Sequence, residues 1–249
     1  MEIPFLSPVI YQALLFFYKL FGGNLGYSVI ALTIVVKAVL LPLMIPTVKS
    51  AKKMQDLKPH LDKLKLKHTD KKVLQQAQLD LYKEHGINPA AGCLPQLVQI
   101  AVLIALYGVF MKDFFGKPEI AGIIVNPNFL YLNLNMPDQF YIFPVLAGIT
   151  QFVFSLMMQS GIESHVEASN KKDEKKKEED NLEMAQTMQQ QMLYMMPVMT
   201  TVISLKFQSG LVLYWIVSTV FSIVQQYYFS GLGGIKPMLI KLRILQNNK

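Results

Sequence analysis

The hydrophobic positions of this chain fall in long blocks, not in the strict alternation or narrow stripes of a soluble fold. Residues 26–46 read GYSVIALTIVVKAVLLPLMIP; residues 89–111 and 139–160 are as dense, and 191–207 and 211–230 follow close on one another. All but the short fourth block have the roughly 20 residues a helix needs to cross a bilayer core about 30 Å thick. The pattern predicts an all-α integral membrane protein with five transmembrane helices. A further apolar stretch, 3–21, is broken early by Pro4 and Pro8 and closed by Gly22, Gly23 and Asn24. Its aromatics (Tyr11, Phe16, Phe17, Tyr18 and Phe21) suit a headgroup layer. Residues 1–25 therefore read as an external helix lying in the interface, with a first membrane span as the alternative.

The intervening segments differ from one another. In 47–88, Met54, Leu57, Leu61 and Leu64 recur at three and four, as do Leu74, Ala77 and Leu81. That is helical spacing, and it predicts a two-helix hairpin. Thr69 or Asp70 would start the second helix, and Gly86 before Asn88-Pro89 would end it. Residues 112–138 are rich in Asn and Pro and read as an external loop. Residues 161–190 contain KKDEKKKEED, a mixed-charge run expected to be a solvated linker. Residues 231–249 form a short basic tail.

Within the apolar blocks the polar positions are few and regularly placed. Lys37 lies near the middle of the first span, about 15 Å from either end at roughly 1.5 Å per residue. A cation at that depth costs about 2.5–3.5 kcal/mol on insertion scales. A snorkelling stem covers only about half of that depth, so the expected environment is a polar, hydrated cavity. Thr33 is one turn earlier on the same face. Gln96 and Gln99 are one turn apart in the second span, and Gln151, Ser155 and Gln159 recur every fourth residue in the third. Tyr214, Ser218, Ser222 and Gln225 form a stripe in the fifth, with Trp215 and Thr219 beside it. Each such group is costly in lipid without a hydrogen-bond partner. The economical reading is that these faces converge on one hydrated cavity containing Lys37, with Thr33, Gln96, Gln99, Gln151, Ser155, Tyr214, Trp215 and Ser218 as its other candidate site residues.

Charge sets the expected orientation. Residues 47–88 carry ten lysines against five acids, which places the hairpin in the cytoplasm by the positive-inside rule. The linker and the C-terminus share that side, and the N-terminus is external. The net charge of +7 would suit nucleic acid, but it is confined to short segments between apolar blocks, and no DNA partner is expected. The single cysteine, Cys93, excludes an intrachain disulfide. His60, His68 and His85 lack metal-site spacing, so neither a metal nor another cofactor is expected. No basic region precedes the first apolar stretch, which predicts no cleaved signal, and no cysteine near the N-terminus suggests a lipid anchor. The chain has no HExxH motif, paired intramembrane Asp or Ser–His arrangement and is not read as an enzyme.

Several stretches resemble the YidC/Oxa/Alb membrane protein insertases: GNLGYSVIALTIVVKAVLLPL, LYKEHGINPAAGCLPQLVQ, MMPVM, SGLVLYW and QQYY. Their order and spacing cover nearly the whole chain. The resemblance implies five core spans, a cytoplasmic hairpin and an external amphipathic helix. It also implies a hydrophilic groove open to cytoplasm and lipid and closed outside, and the likeness is to the short, bacterial-type members. The positive residue of the first core span, usually arginine in the family, is here Lys37, a point charge without bidentate geometry. Gln208 stands where proline usually precedes Ser-Gly-Leu, and Ala101 where proline often follows the Gln. The implied function is insertase or chaperone: nascent membrane proteins enter the groove from the cytoplasm and leave into the lipid bilayer. A ribosome and a Sec-type translocon are possible partners, and a bacterial plasma membrane is the expected location. A small-solute (anion) transporter or channel, with Lys37 as the anion site, is the alternative; against it, there is no internal repeat and no paired broken helices.

Overall fold

The computed structural model describes residues 6–67, 71–87, 94–114, 117, 119–158, 194–232 and 235. The expected linker at 161–190, nearly all of the tail, Gln159 and the Thr69–Asp70 helix start lie outside the described residues. Eight α-helices account for most of the rest: α1 (Leu6–Leu20), α2 (Leu25–Asp56), α3 (Lys58–Lys67), α4 (Lys71–Glu84), α5 (Leu94–Val109), α6 (Ile142–Met158), α7 (Tyr194–Ser204) and α8 (Ser209–Ser230). Three stretches are long and apolar enough to cross a membrane: Leu25–Ser50, Leu97–Phe114 and Ser209–Ser230; Leu6–Leu20, Ile142–Met158 and Tyr194–Ser204 are shorter apolar helices.

The first two helices are joined by a turn the sequence encodes closely. Gly22 and Gly23 take positive φ (59° and 84°). Gly22 N–H donates to the Lys19 carbonyl and Gly23 N–H to the Tyr18 carbonyl, the paired bonds of a Schellman ending. Asn24 then caps α2, its Oδ1 accepting from the Tyr27 N–H at 3.2 Å. With the chain reversed there, Ile10, Leu14 and Tyr18 of α1 are buried, and α1 packs on both α2 and α5.

α2 does not end at the expected boundary near Pro46. Both Pro42 and Pro46 sit inside the helix, which continues to Asp56. What changes at residue 47 is side-chain polarity, to which the backbone ladder is indifferent. The hairpin's second helix, α4, stops at Gly86 (φ 62°). Gly86 N–H donates to the Lys83 carbonyl and Ile87 N–H to the Tyr82 carbonyl, again a Schellman pair. The buried Leu57 and Leu61 and the packing of α3 on α4 hold the hairpin together.

α5 passes into a π-helical turn at Phe110–Phe114. The expected external loop is not featureless. It folds into two minimal antiparallel hairpins, Glu119–Ile120 with Ile123–Ile124 and Asn128–Phe129 with Leu132–Asn133. The Tyr18 hydroxyl donates to the Ile124 carbonyl at 3.1 Å. The N-terminus of α8 has no side-chain cap; instead its Ser209 and Gly210 N–H groups donate to the loop carbonyls of Met136 and Leu134 at 2.8 and 3.1 Å. Orphan donors of that helix end are thus satisfied by the loop. Gln208 holds φ −57°, within the range a proline ring would fix, so the position is compatible with either residue. α5 likewise runs unbroken through Ala101.

Candidate functional site

A cavity of roughly 680 Å³, counting its open mouth, lies between α2, α5, α6 and α8. Position in the helices decides who lines it. α2 contributes Val36, Lys37, Leu40, Met44, Thr47 and Val48, spaced as one helical face; α5 contributes Val98, Gln99 and Val102; α8 contributes Tyr214, Ser222, Gln225 and Gln226. From α6 come Phe154 and Met158.

Polar groups on three helices are joined in short chains of hydrogen bonds. Lys37 Nζ donates to Ser222 Oγ at 3.1 Å, and Ser222 Oγ donates to the Ser218 carbonyl one turn back, at 3.0 Å. Ser218 Oγ donates to Gln99 Oε1 at 2.9 Å, and Gln99 Nε2 donates to the Tyr214 hydroxyl at 3.1 Å. Both ends of the Gln99 amide are therefore paired across the α5–α8 contact. The Lys37 ammonium meets a neutral hydroxyl, and none of the described lining residues carries a carboxylate. The cation is held in place without being neutralised, which leaves its charge available to an incoming anion or dipole.

Four candidate residues, Lys37, Gln99, Tyr214 and Ser218, come together in this way. The others do not join them. Thr33 is fully buried, and its hydroxyl donates to the Val29 carbonyl at 2.6 Å on its own helix; this back-bonding to residue i−4 satisfies it locally, and it does not line the cavity. Gln151 is buried but not among the lining residues, and Ser155 is half-buried outside them. α6 turns Phe154 and Met158 to the cavity instead, so the polar stripe of that helix is not its cavity face. Trp215, about 100° round the helix from Tyr214, is half-buried and also outside the lining. The side chain of Gln96 lies outside the described residues.

Two residues that the spacing did not single out belong to the site. Thr47, 5% exposed, donates to the Met44 carbonyl at 2.6 Å, one turn after the Pro42–Leu43 step of α2. Gln226, 1% exposed, lines the cavity with both amide atoms buried and unpaired. Its signal was present in the sequence: Tyr214, Ser218, Ser222 and Gln226 recur at strict fourth positions, a straighter row than the one ending at Gln225.

Residues 16–245 match the model of the family described as 60Kd inner membrane protein. The membrane protein insertase YidC of Fusobacterium nucleatum is 38% identical over 213 residues, covering 85% of this chain and 88% of that one. The membrane protein insertase MisCA of Bacillus subtilis is 35% identical over 218 residues, covering 86% and 73%. A crystal structure of an active YidC insertase with its first transmembrane domain resolved matches with a TM-score of 0.60 at 23% identity. The match covers 90% of this chain and 47% of that chain. At that identity the likeness shows the fold.

Proposed function

The chain belongs to the 60Kd inner membrane protein family, that of the YidC-type membrane protein insertases, and from that premise we propose that it receives nascent membrane segments beside Lys37 and releases them into lipid. The observation that carries this is the Lys37 ammonium, set within an apolar span on a neutral partner, with no acid among the described residues that line the cavity. A client's short external tail must cross the bilayer before its helix can settle. A carboxylate in that tail costs about 2.5–3.5 kcal/mol at the membrane centre on insertion scales. A cation about 4 Å away returns about 4 kcal/mol at an effective dielectric near 20, enough to offset the penalty. Tyr214, Ser222 and Gln226 reach the cavity along about 18 Å of α8, so polar groups meet the tail at points along the path. The client's apolar helix then leaves sideways, driven by its own burial in lipid.

No covalent step is required, and no residue is assigned a catalytic role. The basic hairpin of α3 and α4 faces the cytoplasm, where it meets clients; the external loop closes the far side, and the N-terminus is external. α1, about 22 Å long, falls short of the hydrocarbon core and lies in the interface. The ribosome, a Sec-type translocon and anionic lipid are partners suited to the basic segments. The transporter alternative draws no support from the insertase relatives. Reconstitution separates the two: liposomes containing the purified chain should insert a single-span client with an acidic tail faster than empty liposomes, with no accompanying flux of small anions. Anion flux without insertion would reverse the assignment.

A further inference from the structure

Among the described residues that line the cavity, one buried side chain keeps its hydrogen-bonding groups unpaired. Gln226 is buried, lines the cavity, and among the described residues neither its Nε2 nor its Oε1 has a hydrogen-bond partner. By contrast, Gln99 on the facing helix has both amide atoms occupied. A buried amide with neither atom paired costs free energy, and an apolar residue of the same size would remove that cost. Gln226 follows Ser222, the Lys37 partner, by one turn, about 6 Å further along α8.

We propose that the Gln226 side-chain amide binds a peptide group of the client's extended tail, its Nε2 donating to a backbone carbonyl while its Oε1 accepts from a backbone N–H. This deepens the insertase reading and rests on it. One free donor and one free acceptor on a planar amide match one peptide unit of an unfolded strand. A helix offers no such pair along its length, because its N–H and carbonyl groups are already joined within it. Gln226 thus distinguishes the extended tail still to be translocated from the helical segment behind it. It does so without reference to side chains, which suits a groove serving many clients. Lys37 attracts charge; Gln226 holds backbone.

The test compares the full-length wild type with Gln226→Met, which keeps length and removes both polar atoms, on two readouts. In the first, purified protein in detergent is heated with and without a soluble, uncharged Gly-Ser peptide. The peptide should raise the melting temperature of wild type and leave that of Gln226→Met unchanged. The variant without peptide should melt at or above the wild-type temperature, since it loses a buried unpaired amide. In the second, proteoliposomes insert a client whose tail is uncharged, and the variant should be slower by about three- to tenfold, the loss expected for one to two hydrogen bonds. An equal peptide shift in both proteins would overturn the proposal. So would a variant that melts lower, since the amide would then be a structural one. Failure of wild type to insert any client, with the peptide shift intact, would count against the insertase reading and leave the Gln226 pairing standing.

Discussion

The Asp138 carboxylate organises the start of α6 by accepting three hydrogen bonds: from Phe140 N–H at 2.9 Å, Phe143 N–H at 2.8 Å and the Tyr131 hydroxyl at 3.0 Å. It is 3% exposed, and it places negative charge against a helix N-terminus, where the macrodipole favours it. Burial and this carboxylate push the Tyr131 phenol up to about 12. Replacing Asp138 with Ala should lower stability by about 1–2 kcal/mol, the usual cost of losing a helix cap, as measured by thermal unfolding in detergent; an unchanged melting temperature would show that the cap contributes nothing. At this scale the sequence was only partly informative. Spacing selects residues that share a helix face, but it does not say which neighbour that face meets. Thr33 precedes Lys37 by one turn, yet its hydroxyl turns back to Val29 while Lys37 reaches Ser222. Spacing does not choose between Gln225 and Gln226, because a three-residue and a four-residue step are equally helical until the partner helix is in place.

Helix ends were more legible than helix boundaries in the membrane sense. The glycines at 22, 23 and 86 stop α1 and α4 through backbone conformations that disfavour L side chains, and such local chemistry can be read directly. α2, by contrast, runs ten residues past Pro46 because a change from apolar to basic side chains does not break a backbone ladder. The two hairpins between α5 and α6 have strands of two residues each, too short to show a period. Close approach of elements was equally hidden. A Cβ on Gly26 of α2 would overlap the Phe129 ring, and one on Gly148 of α6 would overlap Thr201 Oγ1. Gly26→Ala should therefore displace the loop hairpin from the start of α2 and cost about 1–3 kcal/mol through overpacking. Protease accessibility of the loop should rise together with a fall in melting temperature; a variant as stable and as resistant as wild type would show that Phe129 moves aside freely.

For the whole molecule, blocks of apolar residues announce a helical membrane protein, and the polar residues within them announce that the helices do more than span. What the sequence could not convey is the asymmetry of the interior. α2, α5 and α8 each bring polar side chains into a mostly apolar cavity, whereas α6 closes it with Phe154 and Met158. Such a cavity offers a tail a few placed hydrogen-bonding groups on α2, α5 and α8 and only apolar side chains on α6. The cation that gives this groove its sign is Lys37, and the account stands on that charge acting upon the client. The most direct measurement is insertion by proteoliposomes containing wild type, Lys37→Arg or Lys37→Ala, each given two single-span clients that differ only in an acidic or a neutral external tail. Lys37→Arg should insert both at near wild-type rates, whereas Lys37→Ala should slow the acidic-tailed client by about tenfold or more, a loss of at least 1.4 kcal/mol, and leave the neutral one nearly unchanged. If Lys37→Ala inserts the acidic client as fast as wild type does, the charge of Lys37 does not act on the client, and the account of the groove is wrong.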